Sequence, residues 1–460
     1  MREPLGLRRE LGTLESYATL VGILIGAGIF KVTSHAWALT GPSIILGHLV
    51  LAPVVLATSV PYAAYVSTSL GREPGGEYAH ISRTLGGYGL AFVGAWLKVI
   101  SYVGALAYLA LAFAEYVVQL SAGRLSLDAH RMPVAAGSLV AVYAVHVLGV
   151  RWFGRVQVGM CALLGVSLLV LILPGLPAVH SENYRPFFTG GAVGFAQSLP
   201  PLFFAYAGFE SLAQAAGEVK DSTRRLPAVF LRGIAGTTLV YLLMSVVALG
   251  VLPVERLATS PTPMADAAAV YLPWGGAWFV TLGAVMALTT SLNSTMLVPS
   301  RIGLMLARDR LAPVALGSVL ARTGTPVLGL SLTLAASLAL LLSGQVSLAL
   351  NIAVFALVLL YLLHGVAFLR LPASNPALAR EVRLGLSRPL QRAAATVSIV
   401  AMAGLVLVQV ASDLQTLKDT SLAERIAGRS LTTLELCLAW ALLGRIVYAL
   451  NGRGRSLPAY

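Results

Sequence analysis

Charge in this chain is concentrated in the links between long apolar runs. Hydrophobic residues make up 57% of the sequence and charged residues 11%, whereas soluble domains carry about 25% charged residues. Lipid is therefore the solvent for most of the chain. Within hydrocarbon only helices and closed barrels satisfy their own backbone groups, and a helix needs about 20 apolar residues to cross. The pattern predicts an all-α integral membrane protein with about 12 transmembrane helices, near 13–39, 43–70, 88–121, 132–149, 154–174, 192–218, 227–252, 275–307, 326–343, 347–370, 393–411 and 431–450. Runs longer than one crossing tilt or extend past the bilayer.

The basic residues sort by side. With the N-terminus inside, 23 of the 32 Lys and Arg fall in inside segments and 7 in outside ones, while Lys31 and Lys98 lie within spans. Positive charge favours the cytoplasmic side of a membrane. Both termini are expected there, in the plasma membrane, and the net charge of +13 needs no nucleic acid partner. Cys161 and Cys437 both lie in apolar runs and form no metal-binding spacing.

The first run is interrupted. It reads GILIGAGIFK over 22–31, and glycine inside a helix costs roughly 0.5–1 kcal/mol relative to alanine. The sixth run has its own interruption at Ala207-Gly208-Phe209-Glu210. Five spans separate the two, and an odd number per unit forces the second unit to be inverted in the membrane. Matched interruptions in two halves point to an inverted-repeat transporter and its midplane site. We expect one transmembrane domain over 1–460, with repeats at about 13–174 and 192–370 and accessory helices at about 393–450. A broken helix frees amides that suit a carboxylate and carbonyls that suit an ammonium group or a cation. A zwitterionic amino acid presents both. The other reading of such glycines is close helix packing.

Four stretches, in order, resemble the amino acid–polyamine–organocation (APC) superfamily of permeases. They are GILIGAGIF at the first span, GREPGGEYAHISRTLG (71–86) after the second, FFAYAGFES with GEVKDSTRRLP at and after the sixth, and SLNSTMLVPSRIGLMLARDRLAP (291–313) in the eighth. The resemblance covers about residues 10–450 and implies a five-plus-five inverted-repeat core and secondary transport of amino acids or related amines. It implies that Ile25, Gly26, Ala27 and Gly28 meet the substrate carboxylate and that Ala207 and Gly208 meet its amino group. It places Phe204 as an aromatic gate, where the alternative is an ordinary core or lipid-facing ring. Glu210, just past the second break, can fix the interrupted backbone, pair with a cation or carry a proton, since acids at this depth are costly. Sodium-coupled members hold a cation between helices one and eight. The matching positions are the carbonyls of Gly22, Ile25 and Ala287 and the hydroxyls of Thr290 and Ser291, although such hydroxyls also bond their own backbone. Some other members place a lysine in helix five. Here VQVGMCALLGVSLLVLIL (156–173) has none, and the nearest matching position is Leu164. Members with a disulfide-linked single-span glycoprotein partner carry a cysteine between spans three and four. The stretch 121–133 lacks it, so no such partner is expected.

Two lysines remain. Lys98 is either a displaced substitute for the missing charge or a snorkelling side chain. Lys31, one turn past the first break, either pairs with an acid or draws an anionic substrate. His48, His146, His364 and Glu115 read as packed, hydrogen-bonded residues. Tyr78, Lys220, Asp221, Arg224 and Arg225 read as a solvated loop face or as an inner latch. Apart from Glu210, the spans expected to line the site bring no acid near the breaks, which favours a neutral amino acid. The rivals are a polyamine, amine or cationic amino acid exchanger and a non-transporting sensor on the same fold. No HExxH, paired-aspartate or Ser-His arrangement suggests an enzyme. No cofactor is expected beyond a coupling Na⁺ or H⁺.

Overall fold

The computed structural model describes residues 6–26, 28, 30, 33–121, 126–260, 262–272, 275–344, 346–427 and 431–452. The first half contains α1 (Thr13–Leu24), α2 (Thr33–Thr40), α3 (Ile44–Val66), α4 (Gly76–Leu85), α5 (Tyr88–Leu120), α6 (Leu127–Val147) and α7 (Val150–Gly175). Next come α8 (Gly191–Phe204), α9 (Ser211–Gln214), α10 (Ser222–Val251), α11 (Val254–Thr259), α12 (Pro263–Tyr271) and α13 (Gly276–Arg308). The chain continues with α14 (Val327–Leu342), α15 (Val346–Ser374), α16 (Pro376–Glu381), α17 (Arg388–Asp419), α18 (Leu422–Ala427) and α19 (Thr433–Gly452). Among the described residues there is no strand beyond isolated bridges from Leu11 to Val219 and from Leu320 to Thr325.

Among the described residues, eight helical stretches are long and apolar enough to cross a membrane. The two expected interruptions divide the first and sixth runs: α1 stops at Leu24, and α8 stops at Phe204, before the short α9. Burial sorts the helices. In α13, 83% of the most apolar window is covered by protein, and in α5 72%. In α17 and α19 the share is 17% each, so these two lie at the periphery with apolar side chains turned outward, as a lipid solvent permits. Trp96 and Trp440 fasten α19 to α5 by donating indole N–H bonds to each other's carbonyls at 3.0 and 2.9 Å. At the centre α1 packs on α7, α10 and α13, while α5 lies against α13 and α15. The two breaks are thereby held in the most buried part of the molecule.

Candidate functional site

Both breaks face one partly open cavity of about 60 Å³, with Ile23, Leu24 and Gly28 on one side and Phe204, Ala205, Ala207 and Gly208 on the other. Waters need roughly 10–15 Å³ each, so the space holds a few of them or a small solute. Gly208 sits at φ +105°, a conformation that glycine adopts without steric cost. At Gly26 even a methyl group would overlap the Ser291 hydroxyl, so span eight presses directly on the first break. Tyr241 of α10 ties the two interruptions together: its hydroxyl donates toward the carbonyls of Leu24 and Ala205, the latter at 2.8 Å. The remaining lining comes from α5, α13 and α15. Its polar groups are Ser101, Tyr102, Tyr108, Ser291 and Thr295, and no ionised side chain is among the described lining residues.

Of the residues singled out from the sequence, Gly28, Phe204, Ala207, Gly208 and Ser291 line this cavity. Ile25 and Gly26 lie behind it, buried against α13. Ala27 and Lys31 fall outside the described residues.

Of the positions matched to a cation site, Gly22, Ala287, Thr290 and Ser291 bond to one another. The Thr290 hydroxyl lies within bonding distance of the carbonyls of Gly22 and Ala287, at 2.9 and 2.7 Å. Ser291 reaches Gly22 and Ile23 at 3.1 Å each. Beside them Gln157 of α7 donates its amide to the carbonyls of Ala18 and Thr290 and to the Ser294 hydroxyl, at 3.1, 3.2 and 3.1 Å. Its own oxygen accepts from Asn293 at 2.8 Å. Gln157 and Cys161, rather than Leu164, are thus the residues that α7 turns toward Gly22.

Glu210 does not enter the cavity; it is fully buried beside it. Tyr102 and Tyr361 donate to its two oxygens at 2.6 and 2.5 Å, and the Gly208 N–H donates at 3.0 Å. The carboxylate therefore braces the second break through a backbone amide that a continuous helix would have satisfied. Lys98 does not snorkel, contrary to one of its two expected readings. It is 1% exposed and donates to both oxygens of Glu77 at 2.7 Å, with Glu210 at 3.9 Å. Tyr62 and Gln214 also donate to Glu77, at 2.7 Å each. The physical reason is pairing: a buried ammonium with a buried carboxylate at bonding distance has no need to reach water.

A second group of buried charges lies beside the N-terminal segment. The amides of Glu10 and Leu11 donate to the Glu218 carbonyl at 3.0 Å, and the Lys220 amide donates to Leu11 at 2.8 Å. The Arg301 guanidinium grips the Glu218 carboxylate in two bonds of 3.0 and 2.8 Å. Arg83 and Tyr78 both donate to Asp309, at 2.7 Å each. Tyr78 is buried, so the solvated reading is wrong for it. Asp221 and Arg225 do form an exposed pair at 3.1 Å. The histidines are packed: His48 meets the Tyr206 hydroxyl, His146 the Asn293 carbonyl, and His364 meets His80. Glu115 pairs with Arg131 at 2.6 Å.

Glu77, Tyr102, Gln157, Glu218, Tyr241, Arg301 and Tyr361 were not singled out from the sequence for these roles. Charged residues at 77, 218 and 301 next to apolar runs were a usable signal; the tyrosines and Gln157 carried none.

A bundle of apolar helices, two of them broken against a common cavity, defines a multi-pass membrane transporter acting on a small molecule. The chain belongs to the Amino acid permease family, whose profile matches residues 11–421, and it is not an enzyme. An uncharacterized transporter of Mycobacterium tuberculosis is 30% identical over 68% of this chain and 70% of its own length. The branched-chain amino acid permease of Bacillus subtilis is 26% identical over 67% and 69%. Cationic amino acid transporter 1 of Arabidopsis thaliana is 26% identical over 64% and 51%.

Proposed function

We propose that this permease carries a neutral amino acid across the plasma membrane by alternating access, on a five-plus-five inverted-repeat core (about 13–174 and 192–370) with both termini cytoplasmic. One observation carries the reading: the cavity between the two breaks is lined by backbone, apolar groups and hydroxyls, with no ionised side chain among the described residues. In a low dielectric a cationic side chain would require a partner carboxylate there, and Glu210 is already held by three donors. The α-carboxylate belongs at the amides of the first break, around Gly26, Ala27 and Gly28, and the ammonium at the second, around Ala207 and Gly208. Phe204 covers the substrate. The Tyr78–Asp309–Arg83 and Glu218–Arg301 clusters close the inner side. The relatives' names span branched-chain and cationic amino acids; the uncharged lining supports the former class. Transport is independent of sodium: Thr290 and Ser291 already donate to the Gly22 carbonyl and Thr290 to that of Ala287, two of the three carbonyls matched to a sodium site. No disulfide-linked partner is required.

The test is a thermal-shift screen of the purified protein against the twenty amino acids, followed by uptake into proteoliposomes. A ligand that binds only the folded state raises its stability by about 2.7 kcal/mol at one hundred times Kd. Stabilisation by small apolar amino acids supports the reading. Stabilisation by arginine, lysine or polyamines alone overturns the substrate class, and binding without uptake points to a sensor.

A further inference from the structure

A second hollow, of about 860 Å³, opens on the surface where α3 ends, α10 begins and the chain passes from α16 to α17. Its volume lies within the roughly 300–1,000 Å³ of small-molecule sites, and it shares no lining residue with the cavity between the breaks. Four arginines line it: Arg72 from the turn after α3, Arg224 and Arg232 from α10, and Arg383 from the link between α16 and α17. All four are exposed. None of their guanidinium groups forms an ion pair or a hydrogen bond with another described residue. Glu381 is the one acid among the described lining residues, and one of its oxygens already accepts the Ser69 N–H at 2.7 Å. The hollow thus gathers four positive charges against one negative. An excess of basic residues on one side of a membrane explains their number but not their convergence from three separate parts of the chain. Like charges held together repel, and an anion placed among them relieves that cost.

The remaining surface says which anion. Leu231 and Leu384 line the hollow beside the arginines. Past Arg232 the exposed side of α10 continues as Ala235, Gly236 and Leu239, the last about 10 Å further along the helix at 1.5 Å per residue. Leu390 and Val397 of α17 are exposed as well, and α3 packs on both helices. Both α10 and α17 are long and apolar enough to cross the membrane. The cationic hollow therefore adjoins apolar surface that faces the bilayer. Guanidinium groups meet phosphate oxygens with two parallel N–H donors. A soluble phosphate would use the arginines alone, whereas a phospholipid uses the arginines and the apolar side together.

We propose that this hollow binds the phosphate headgroup of an anionic phospholipid, with an acyl chain laid along α10. One headgroup then joins the end of α3, the start of α10 and the link to α17, and neutralises the arginines that these elements bring together. The site is separate from the amino acid site, and it requires only that the chain spans a membrane.

The test uses the full-length protein purified in a neutral detergent. It is titrated with dioleoylphosphatidylglycerol, dioleoylphosphatidylcholine and sn-glycerol 3-phosphate. Bound molecules are counted by native mass spectrometry, and the melting temperature is followed in parallel. The two lipids share a phosphate and both chains and differ in net charge; glycerol 3-phosphate keeps the anion and lacks the chains. Each basic side chain near an anionic lipid surface is worth roughly fivefold in affinity. Arg232→Gln combined with Arg383→Gln is expected to weaken phosphatidylglycerol binding by roughly thirtyfold and to abolish the rise in Tm that this lipid gives the wild type. Arg151→Gln combined with Arg155→Gln removes the same charge outside the hollow and is expected to bind as the wild type does. Arg232→Lys combined with Arg383→Lys keeps the charge without the paired donors, and its affinity is expected to fall between the wild type and the glutamine variant.

Equal affinity of the wild type for the two lipids overturns the proposal. Equal losses in R232Q/R383Q and R151Q/R155Q overturn it too, since the attraction is then diffuse surface charge. Glycerol 3-phosphate binding as tightly as phosphatidylglycerol, and lost in R232Q/R383Q, overturns the lipid and makes the hollow a site for a soluble phosphate compound. None of these outcomes depends on amino acid uptake, so the transport reading stands or falls separately.

Discussion

The hydroxyl of Tyr241 lies 2.8 Å from the carbonyl oxygen of Ala205, and the same hydroxyl meets the carbonyl of Leu24. One side chain on an unbroken helix thus serves the ends of two broken ones. Each of those carbonyls belongs to a helix end, where the last acceptors lack intrahelical partners and need another donor. Tyr241→Phe keeps the ring and its edge-on contact with Tyr206, whose centroid lies 4.9 Å away, and removes only the O–H. Leaving a buried acceptor unsatisfied costs about 1–3 kcal/mol. The expected outcome is a lower melting temperature together with a loss of uptake larger than the stability loss explains, because both breaks relax at once. Thermal unfolding and initial uptake rates, measured on the same preparation, check this. A variant with normal transport would remove the clamp from the account.

Gly26 is the second strict constraint. A Cβ there would overlap the Ser291 hydroxyl and meet the Ser291 Cβ at 2.7 Å. Gly26→Ala is expected to abolish amino acid-induced thermal stabilisation. Adding Ser291→Gly, which removes both offending atoms, is expected to restore folding and part of the binding. Recovery in the double variant identifies the cause as crowding against span eight. If the double variant is no better than the single one, the glycine is needed for backbone conformation alone.

How much of this was legible beforehand follows from the range of each signal. The apolar runs and the two breaks are local features: hydropathy and glycine act within a few residues, and α1 and α8 stop where GAG and AGF interrupt them. Pairing is not local. Lys98 and Glu77 are 21 positions apart and Arg301 and Glu218 83 apart, so neither the partner nor the burial of these charges could be read from spacing. Lys98 alone permitted a snorkelling reading; Lys98 beside Glu77 does not. Gln157 escaped notice because the comparison was made at Leu164, seven residues and about two turns further along the same helix. Tyr241 looked like any other aromatic residue in a buried helix.

Gln157 supports a prediction about ions. Its amide donates to two backbone carbonyls and one hydroxyl at the junction of spans one, five and eight. Replacing sodium with choline is therefore expected to leave the ligand-induced thermal shift of the wild type unchanged. Gln157→Glu replaces the donating amide with a carboxylate facing those same oxygens. That variant is expected to be destabilised by about 1–3 kcal/mol, and partly rescued by sodium or low pH, either of which neutralises the new charge. Sodium dependence in the wild type would mean that the hydroxyls of Thr290 and Ser291 turn away when the cation arrives.

The Arg301–Glu218 pair makes the strongest prediction about gating. Both side chains are 1% exposed, and the Glu218 carbonyl also accepts from the amides of Glu10 and Leu11. The pair therefore joins α13 to the segment after the second break and to the strand-like stretch preceding α1. Removing one member of a buried pair costs about 3–5 kcal/mol, because the other charge stays behind without a partner. Arg301→Leu and Glu218→Leu are each expected to lose about that much stability and to expose this end of the molecule to water. The double variant is expected to regain most of the loss, since two apolar groups leave no orphan charge. Thermal unfolding of the four proteins gives the coupling energy. Thiol labelling of a cysteine introduced at Ala213 reports whether the path beneath the cavity has opened. Additive single losses with unchanged labelling would show that the pair merely fills space, and the closure of this face would have to rest on Tyr78, Arg83 and Asp309.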